Sequence, residues 1–166
     1  MSPTVENDEP VWKRWHDESE PIRLGVSACL LGAEVRFDGG HKRDRYVTDV
    51  LSEHVQWRPV CPELEVGLGL PRPVIQLRDG DRGDRLMVRG EDTDLTERMR
   101  SYAEPRVAEL IEEGLDGFVF KKVSPSCGVS RVRVNQDRRA HPTRSGVGEF
   151  DGARLDGRPS LKVDEG

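Results

Sequence analysis

The chain has 166 residues, which suits one domain with a hydrophobic core, and hydrophobic and charged residues each make up 34% of it. Its net charge of −5 argues against binding to nucleic acid through bulk positive charge. No apolar run reaches the length of a membrane-spanning helix, and the first residues lack the apolar core of a signal peptide, so we expect neither a membrane partner nor secretion.

The first segment, residues 1–20, is expected to be a disordered tail, because it is acidic, contains prolines and shows no hydrophobic periodicity. Its two tryptophans, Trp12 and Trp15, are interpreted as docking the tail on the domain. The rest of the chain, residues 21–166, is predicted to form a single domain.

Three short apolar runs are predicted to be strands, since aromatic and β-branched residues are concentrated in them: residues 22–28, 55–60 and 118–120. A helix is predicted between the first two, over residues 45–54, with Asp44 as its N-cap. Four of its residues share one face and are expected to pack on the sheet: Tyr46, Val47, Val50 and Leu51.

A hairpin and a long helix are predicted between the second and third strands. Residues 74–77 and 86–88 flank a charged segment and indicate the hairpin. Asp94-Leu95-Thr96-Glu97 has the spacing of a capping box and is expected to open the chain's longest helix. Gly114 closes that helix, and Pro105 is expected to kink or divide it.

Strands that alternate with helices indicate an α/β fold, which we expect to be a three-layer, Rossmann-like domain with a mostly parallel sheet. The long helix would be the crossover into the strand at 118–120. After it, residues 129–134 alternate apolar and polar side chains, as an edge strand does. In open α/β sheets ligands bind beyond the carboxyl ends of the strands, so a functional site is expected there.

Three cysteines occur in the chain, and each lies past the end of a predicted strand: Cys29, Cys61 and Cys127. If these strands are parallel neighbours, the three thiols converge beyond their carboxyl ends. Beside Cys127, Pro125 stops the hydrogen bonding of the strand, and Gly128 lets the backbone pass close to whatever the thiol holds.

Three cysteines in one chain have four possible uses. A disulfide framework fits poorly, because the number is odd and the chain is large. Structural zinc usually takes four ligands, commonly in C-x-x-C pairs, which the sequence lacks. A [4Fe-4S] cluster accepts thiolates from distant segments, and with three cysteines one iron stays open for a substrate atom. Buried cysteines that act only as small hydrophobic residues are the remaining alternative. Because all three occupy matched positions, we favour a metal centre.

Four blocks of the sequence are distinctive when taken together: Val26-Ser27-Ala28-Cys29-Leu30-Leu31-Gly32, Arg36-Phe37-Asp38-Gly39-Gly40-His41-Lys42, Val60-Cys61-Pro62-Glu63 and Ser124-Pro125-Ser126-Cys127-Gly128. In this order they resemble the motifs of the TudS-like family, the bacterial thiouracil desulfidases, from about residue 22 to the C-terminus. The resemblance implies a [4Fe-4S] cluster held by Cys29, Cys61 and Cys127, whose open iron takes sulfur from a small thiolated pyrimidine. An oxygen-sensitive cluster suits the reducing cytoplasm.

Five further residues are candidates for roles in hydrolytic removal of the sulfur. Glu63, two positions beyond Cys61, is our candidate for activating water or moving its proton, with a capping or salt-bridge role as the alternative. Ser126 (catalytic) and Ser124 (substrate-binding) are candidates for hydrogen bonds to the ring or cluster, or they only shape the turn. The family motif makes His41 a candidate proton donor or substrate contact, with a plain surface position as the alternative. Asp38, in the same loop, is a candidate substrate contact.

Two other functions stay open. One is a non-enzymatic module in which the three cysteines and His41 bind zinc, or in which the cysteines hold a cluster without catalysis. The other is a thionucleoside-sensing or tRNA-modifying protein that uses the same cluster. Iron and sulfide analysis tests the first, and tRNA binding with a steep salt dependence would support the second.

Overall fold

The computed structural model describes residues 20–81, 83–129, 132–136, 139–144 and 160–162. The expected tail, apart from Glu20, and both of its tryptophans lie outside the described residues. In chain order the described residues form β1 (Ile22–Ser27), α1 (Arg45–Asp49), β2 (Val55–Val60), α2 (Pro62–Glu65), β3 (Ile75–Arg78), β4 (Arg85–Val88), α3 (Thr96–Glu112), β5 (Gly117–Phe120), β6 (Val132–Gln136), β7 (Arg139–Arg144) and β8 (Ser160–Lys162), with 3-10 turns at Ala28–Leu31 and Leu51–Glu53.

Sheet A, in the order β2-β1-β5-β8, contains the three strands that precede the cysteines, and its pairings are parallel. The predictions of strands at 22–28, 55–60 and 118–120 are confirmed. β1 lies between β2 and β5, with Ser27 opposite Val60 and Val26 opposite Val119. Because the three strands run in the same direction, their ends meet at one side of the sheet, here called the carboxyl edge.

Sheet B, in the order β4-β3-β6-β7, is mixed. β3 and β4 form the predicted hairpin, while β6 pairs parallel with β3 and antiparallel with β7. The prediction of an edge strand at residues 129–134 is therefore wrong, because β6 has a neighbour on each side. The expected α/β class with a mostly parallel sheet holds for sheet A, whereas the mixed second sheet was not predicted.

Helix α3 connects the two sheets. Leu95, at its N-cap, and Met99 belong to the hydrophobic cluster over sheet B, whereas Ala103 and Leu110 belong to the cluster over sheet A. Gly114 follows the helix in the left-handed region with φ of 74°, as its role in helix termination requires. Pro105 does not divide the helix, because burial of residues on both sides of it outweighs the loss of one backbone hydrogen bond.

Helix α1 is shorter than predicted. Asp44 caps it as expected, since its carboxylate accepts the backbone N–H of Val47 at 3.0 Å. Val47 is buried, but Tyr46 and Val50 are 59% and 45% exposed, so the prediction that these side chains share a buried face is wrong for those two. The helix ends at Asp49, and one and a half turns are too short to present a continuous apolar stripe. Within the described part of the chain, no helix is long and apolar enough to cross a bilayer.

Candidate metal centre

A cavity of about 270 Å³ opens at the carboxyl edge of sheet A, and all three cysteines line it. Cys61 follows β2 directly, Cys29 lies in the 3-10 turn after β1, and Cys127 lies on the turn after β5. The parallel order of the strands is what brings together segments that are far apart in the chain. The three strands are parallel neighbours, and their cysteines line one cavity, which agrees with the expected convergence of the thiols.

The backbone around each cysteine is held by a specific contact. The Cys29 carbonyl accepts the N–H of Gly32 at 3.2 Å. The Cys61 N–H donates to Glu65 Oε1 at 3.2 Å. Beside Cys127, the Gly128 N–H donates to the Ser124 carbonyl at 2.8 Å. A Cβ at Gly128 would lie 2.6 Å from that carbonyl oxygen, so the turn requires glycine.

Glu65 also connects the Cys61 segment to α3. Its Oε2 accepts the hydroxyl of Tyr102 at 2.7 Å and Nε of Arg106 at 2.9 Å. Burial and the neighbouring Glu65 raise the pKa of Tyr102 far above its ordinary value, so the phenol stays protonated and donates. The loop that carries Cys61 is thereby fixed to the longest helix of the fold.

Two thiols have polar contacts inside the cavity wall. Ser27 Oγ lies 3.6 Å from Cys127 Sγ, and both residues are buried. Because Ser27 Oγ accepts the Lys121 N–H at 2.9 Å, its own proton is free to point toward the sulfur. The Cys61 thiol donates to the Val35 carbonyl at 3.9 Å.

The electrostatics of the cavity oppose three bare thiolates. Burial raises the pKa of Cys29 to about 11, the other two thiols add to this, and the positive charges of Lys121 and Arg36 oppose it. Burial also raises the pKa of Cys61 and of Cys127. Three protonated thiols around one cavity form a donor set that a soft, positively charged metal centre can deprotonate and bind.

Three cysteines are a donor set of the kind that iron–sulfur clusters use. Among the described residues, no three His, Cys, Asp or Glu side chains lie close enough together to hold one metal ion. The three cysteines form no disulfide, and all three line the cavity.

A network of charged and hydroxyl groups lies beside the thiols. Arg72 donates from Nε and Nη2 to Glu63 Oε2 at 2.8 and 2.5 Å, and Ser126 donates to Glu63 Oε1 at 2.8 Å. Ser124 Oγ lies 3.1 Å from Ser126 Oγ and accepts the Cys127 N–H at 3.4 Å. Glu63, Ser124 and Ser126 thus line the same cavity as the cysteines.

Arg72 was not predicted as a site residue. Its side chain is only 3% exposed, and it lines the cavity. The sequence offers one signal, its position between Pro71 and Pro73, which restrict the backbone but do not show where the side chain points.

Two predicted site residues lie away from the cavity lining. His41 is exposed, and its Nδ1 accepts the N–H of Arg43 at 3.1 Å. Asp38 is exposed and accepts the N–H of Gly40 at 3.0 Å, while Phe37 and Arg36 line the cavity in its place. The roles of His41 in catalysis and of Asp38 in substrate binding stay predictions.

The chain is similar to known proteins in sequence and in structure. A family model described as 2-thiouracil desulfurase matches residues 24–165. The uncharacterized protein YbbK of Bacillus subtilis (strain 168) is 31% identical over 108 residues, which are 62% of this chain and 71% of that protein. A solved structure of the [4Fe-4S]-dependent thiouracil desulfidase TudS (DUF523Vcz) is similar with a TM-score of 0.64 and 30% identity, covering 86% of this chain and 91% of that one.

Proposed function

The chain belongs to the 2-thiouracil desulfurase family, and from this premise we propose that it is a [4Fe-4S]-dependent enzyme that removes sulfur from a thiolated pyrimidine by hydrolysis. The observation that carries the proposal is the meeting of all three cysteines at one cavity on the carboxyl edge of sheet A. The family match over residues 24–165 supports treating residues 21–166 as one domain.

Cys29, Cys61 and Cys127 are the proposed ligands of the cluster. When bound, the cluster supplies an iron without a cysteine ligand, which can bind and polarise the sulfur of the substrate. The chain's own part is to deliver three thiolates and to balance their charge. Lys121 and Arg36, whose positive charges act on the Cys29 thiol, supply that balance.

Glu63 is the proposed base. Its carboxylate lines the cavity, where Arg72 holds Oε2, and it can accept a proton from water. The water oxygen then bonds to the ring carbon as the carbon–sulfur bond breaks, giving a ring carbonyl and hydrogen sulfide. Neither carbon nor sulfur changes oxidation state, so the reaction needs no external electron donor or acceptor.

Ser126 and Ser124 are proposed to orient the reacting groups. The hydroxyl of Ser126 donates to Glu63 Oε1, the oxygen that Arg72 does not occupy. Ser124 lies next to it and also holds the Cys127 backbone. Ser124, which is only partly buried, is positioned to hydrogen-bond water or the polar edge of a pyrimidine ring, whereas the buried Ser126 acts through Glu63.

Anaerobic reconstitution with iron and sulfide tests the function. We expect about four iron atoms per chain and release of hydrogen sulfide from 2-thiouracil or a related thiolated pyrimidine. Replacing Cys29, Cys61 or Cys127 by serine should abolish both, since a hydroxyl is a poor, hard ligand for iron–sulfur clusters. Ser101→Ala, an exposed change on α3, is the control.

Two results would contradict the proposal. Full iron content and turnover in any one of the cysteine variants would remove that residue from the ligand set. Stoichiometric zinc in place of iron, with no turnover after reconstitution, would favour the non-enzymatic zinc module instead.

A further inference from the structure

The guanidinium of Arg72, in the cavity wall, makes hydrogen bonds through all three of its nitrogens. Nε and Nη2 donate to Glu63 Oε2, Nη1 donates to the Gly69 carbonyl at 3.2 Å, and Nη2 also donates to the Val35 carbonyl at 2.8 Å. The Arg72 backbone N–H donates to the Phe37 carbonyl at 3.1 Å. Every nitrogen of this nearly buried side chain therefore has a defined partner.

These contacts leave the two oxygens of Glu63 in different positions. Arg72 makes both of its bonds to Oε2, so Oε1 is left to accept from Ser126. Glu63 is itself only 16% exposed, which leaves its carboxylate little freedom to turn. Two N–H groups of the planar guanidinium converge on Oε2 and fix that oxygen, while Ser126 holds Oε1, and an ammonium lacks this rigid pair of donors.

Arg72 also joins segments that follow two different cysteines. Val35 lies in the loop after Cys29, and Glu63 lies two residues after Cys61. The Val35 carbonyl that accepts from Arg72 is also the acceptor of the Cys61 thiol. One side chain thus sets the distance between the proposed base and the loop on the other side of the cavity.

We propose that Arg72 is a positioning residue that holds Glu63 by Oε2, so that Oε1, which also accepts from Ser126, is presented to the reacting water in one fixed arrangement. This inference rests on the proposed function and extends it to a residue that does not touch the substrate. A buried ion pair typically adds little net stability compared with an apolar pair of similar volume, so its main consequence here is orientation.

The first test is Arg72→Lys, which keeps the charge and loses the planar fork. We expect a roughly tenfold to hundredfold fall in kcat, the loss that a displacement of about 1 Å typically causes. Iron content should match that of the wild type and KM should stay within about threefold of it, because neither the thiols nor the substrate contacts change. Arg98→Lys is the matched control, since Arg98 also binds the carbonyls of Val66 and Gly67 but does not line the cavity.

The second test is a double-mutant cycle of Glu63→Gln and Arg72→Met. Each single change should lower kcat, and Glu63→Gln should also lower the melting temperature, because it leaves a buried cation unpaired. Adding Arg72→Met to Glu63→Gln should raise the melting temperature again and change kcat by less than about threefold, since Arg72 then has no carboxylate to position.

The outcomes separate this inference from the proposed function. Wild-type kcat in Arg72→Lys, or losses in kcat that multiply across the cycle, would overturn the positioning role. A merely structural role would lower iron content and melting temperature in Arg72→Lys and leave kcat per loaded site unchanged. If the cluster-loaded wild type releases no sulfide from any thiolated pyrimidine, the proposed function is wrong. The positioning role of Arg72 is then wrong as well, even if the melting temperatures show that Glu63 and Arg72 interact.

Discussion

The backbone of Val123, next to the proposed site, has a strained conformation that is expected to lower the stability of the fold. Its φ is 60°, and it is the one described non-glycine residue with positive φ. Left-handed backbone costs an L-residue about 1–2 kcal/mol, and a β-branched side chain makes the conformation rarer still. The side chain is 47% exposed and lines the cavity, so burial inside the protein does not offset this cost.

Val123→Gly is therefore expected to raise the free energy of unfolding by about 1 kcal/mol, because relief of the left-handed strain exceeds the added backbone entropy of glycine. Urea denaturation of the metal-free protein measures the change. Val123→Thr is the control, since it keeps the β-branched shape and should give no gain. A lower stability of the glycine variant would mean that contacts of the valine side chain outweigh its backbone strain.

For single residues, a role in the site could be predicted from the sequence only where neighbouring residues in the chain indicated it. The positions of the three cysteines after strands could be recognised within a few neighbouring residues. Glu63 was found through its spacing from Cys61, but its partner Arg72 was not. That ion pair depends on how the chain between the two residues folds back toward Val35 and Phe37, and hydrophobic periodicity does not encode such a path.

The close approach of β1 and β5 is the element-level feature on which the site depends. Gly25 on β1 lies opposite Phe118 on β5, and a Cβ at Gly25 would lie 2.2 Å from the Phe118 ring. The ring cannot easily move, because it is buried and stacks on Phe120 with centroids 4.4 Å apart. These two strands lead to Cys29 and Cys127, so their spacing controls the spacing of two proposed ligands.

Gly25→Ala should lower the free energy of unfolding by about 1–3 kcal/mol, the usual cost of overpacking a buried contact. Denaturant titration tests this, and iron content after reconstitution should fall as well, because the two ligand segments move apart. Combining Gly25→Ala with Phe118→Leu should recover part of both losses. Unchanged stability and iron content would show that the strands adjust without consequence for the site.

Most of the elements that were predicted correctly share one property: their apolar residues are close in sequence and buried. β1, β5, the hairpin and α3 meet this condition, whereas β2 is buried only at Val60 and was found from its concentration of apolar residues. β7 has the sequence Arg-Ala-His-Pro-Thr-Arg and β8 has three residues, so neither offers an apolar alternation to detect. Without β7, β6 was taken for an edge strand, and the second sheet was missed.

For the whole molecule, two hydrophobic clusters over two sheets are joined by α3, and a third packs on β1. The proposed metal centre lies where sheet A ends, with walls from the loop at 35–37, the segment 72–75 and the turn at 121–127. Because these walls come from distant parts of the chain, binding of a metal centre there is expected to stabilise the fold as a whole.

The buried thiols are expected to make the free energy of unfolding of the metal-free protein fall as the pH becomes alkaline. The pKa of Cys29 is about 11 in the folded protein, above its ordinary value of 9.0, because the thiol is buried beside two others. In the unfolded chain the thiol therefore ionises first as the pH rises. The contribution of the protonated Cys29 thiol to the free energy of unfolding is fully present below pH 9, where the unfolded thiol is also protonated. It is lost as the pH rises toward about 11.

We expect the free energy of unfolding of the metal-free wild type to fall by about 2 kcal/mol more than that of Cys29→Ser between pH 9 and pH 11. The serine hydroxyl does not titrate in this range, so the difference between the two proteins isolates the thiol from the lysines and tyrosines that also ionise. Denaturant titrations under reducing, chelator-treated conditions measure it. Parallel curves for the two proteins would show that Cys29 has the same proton affinity in the folded and unfolded states, and that the cavity does not oppose its ionisation.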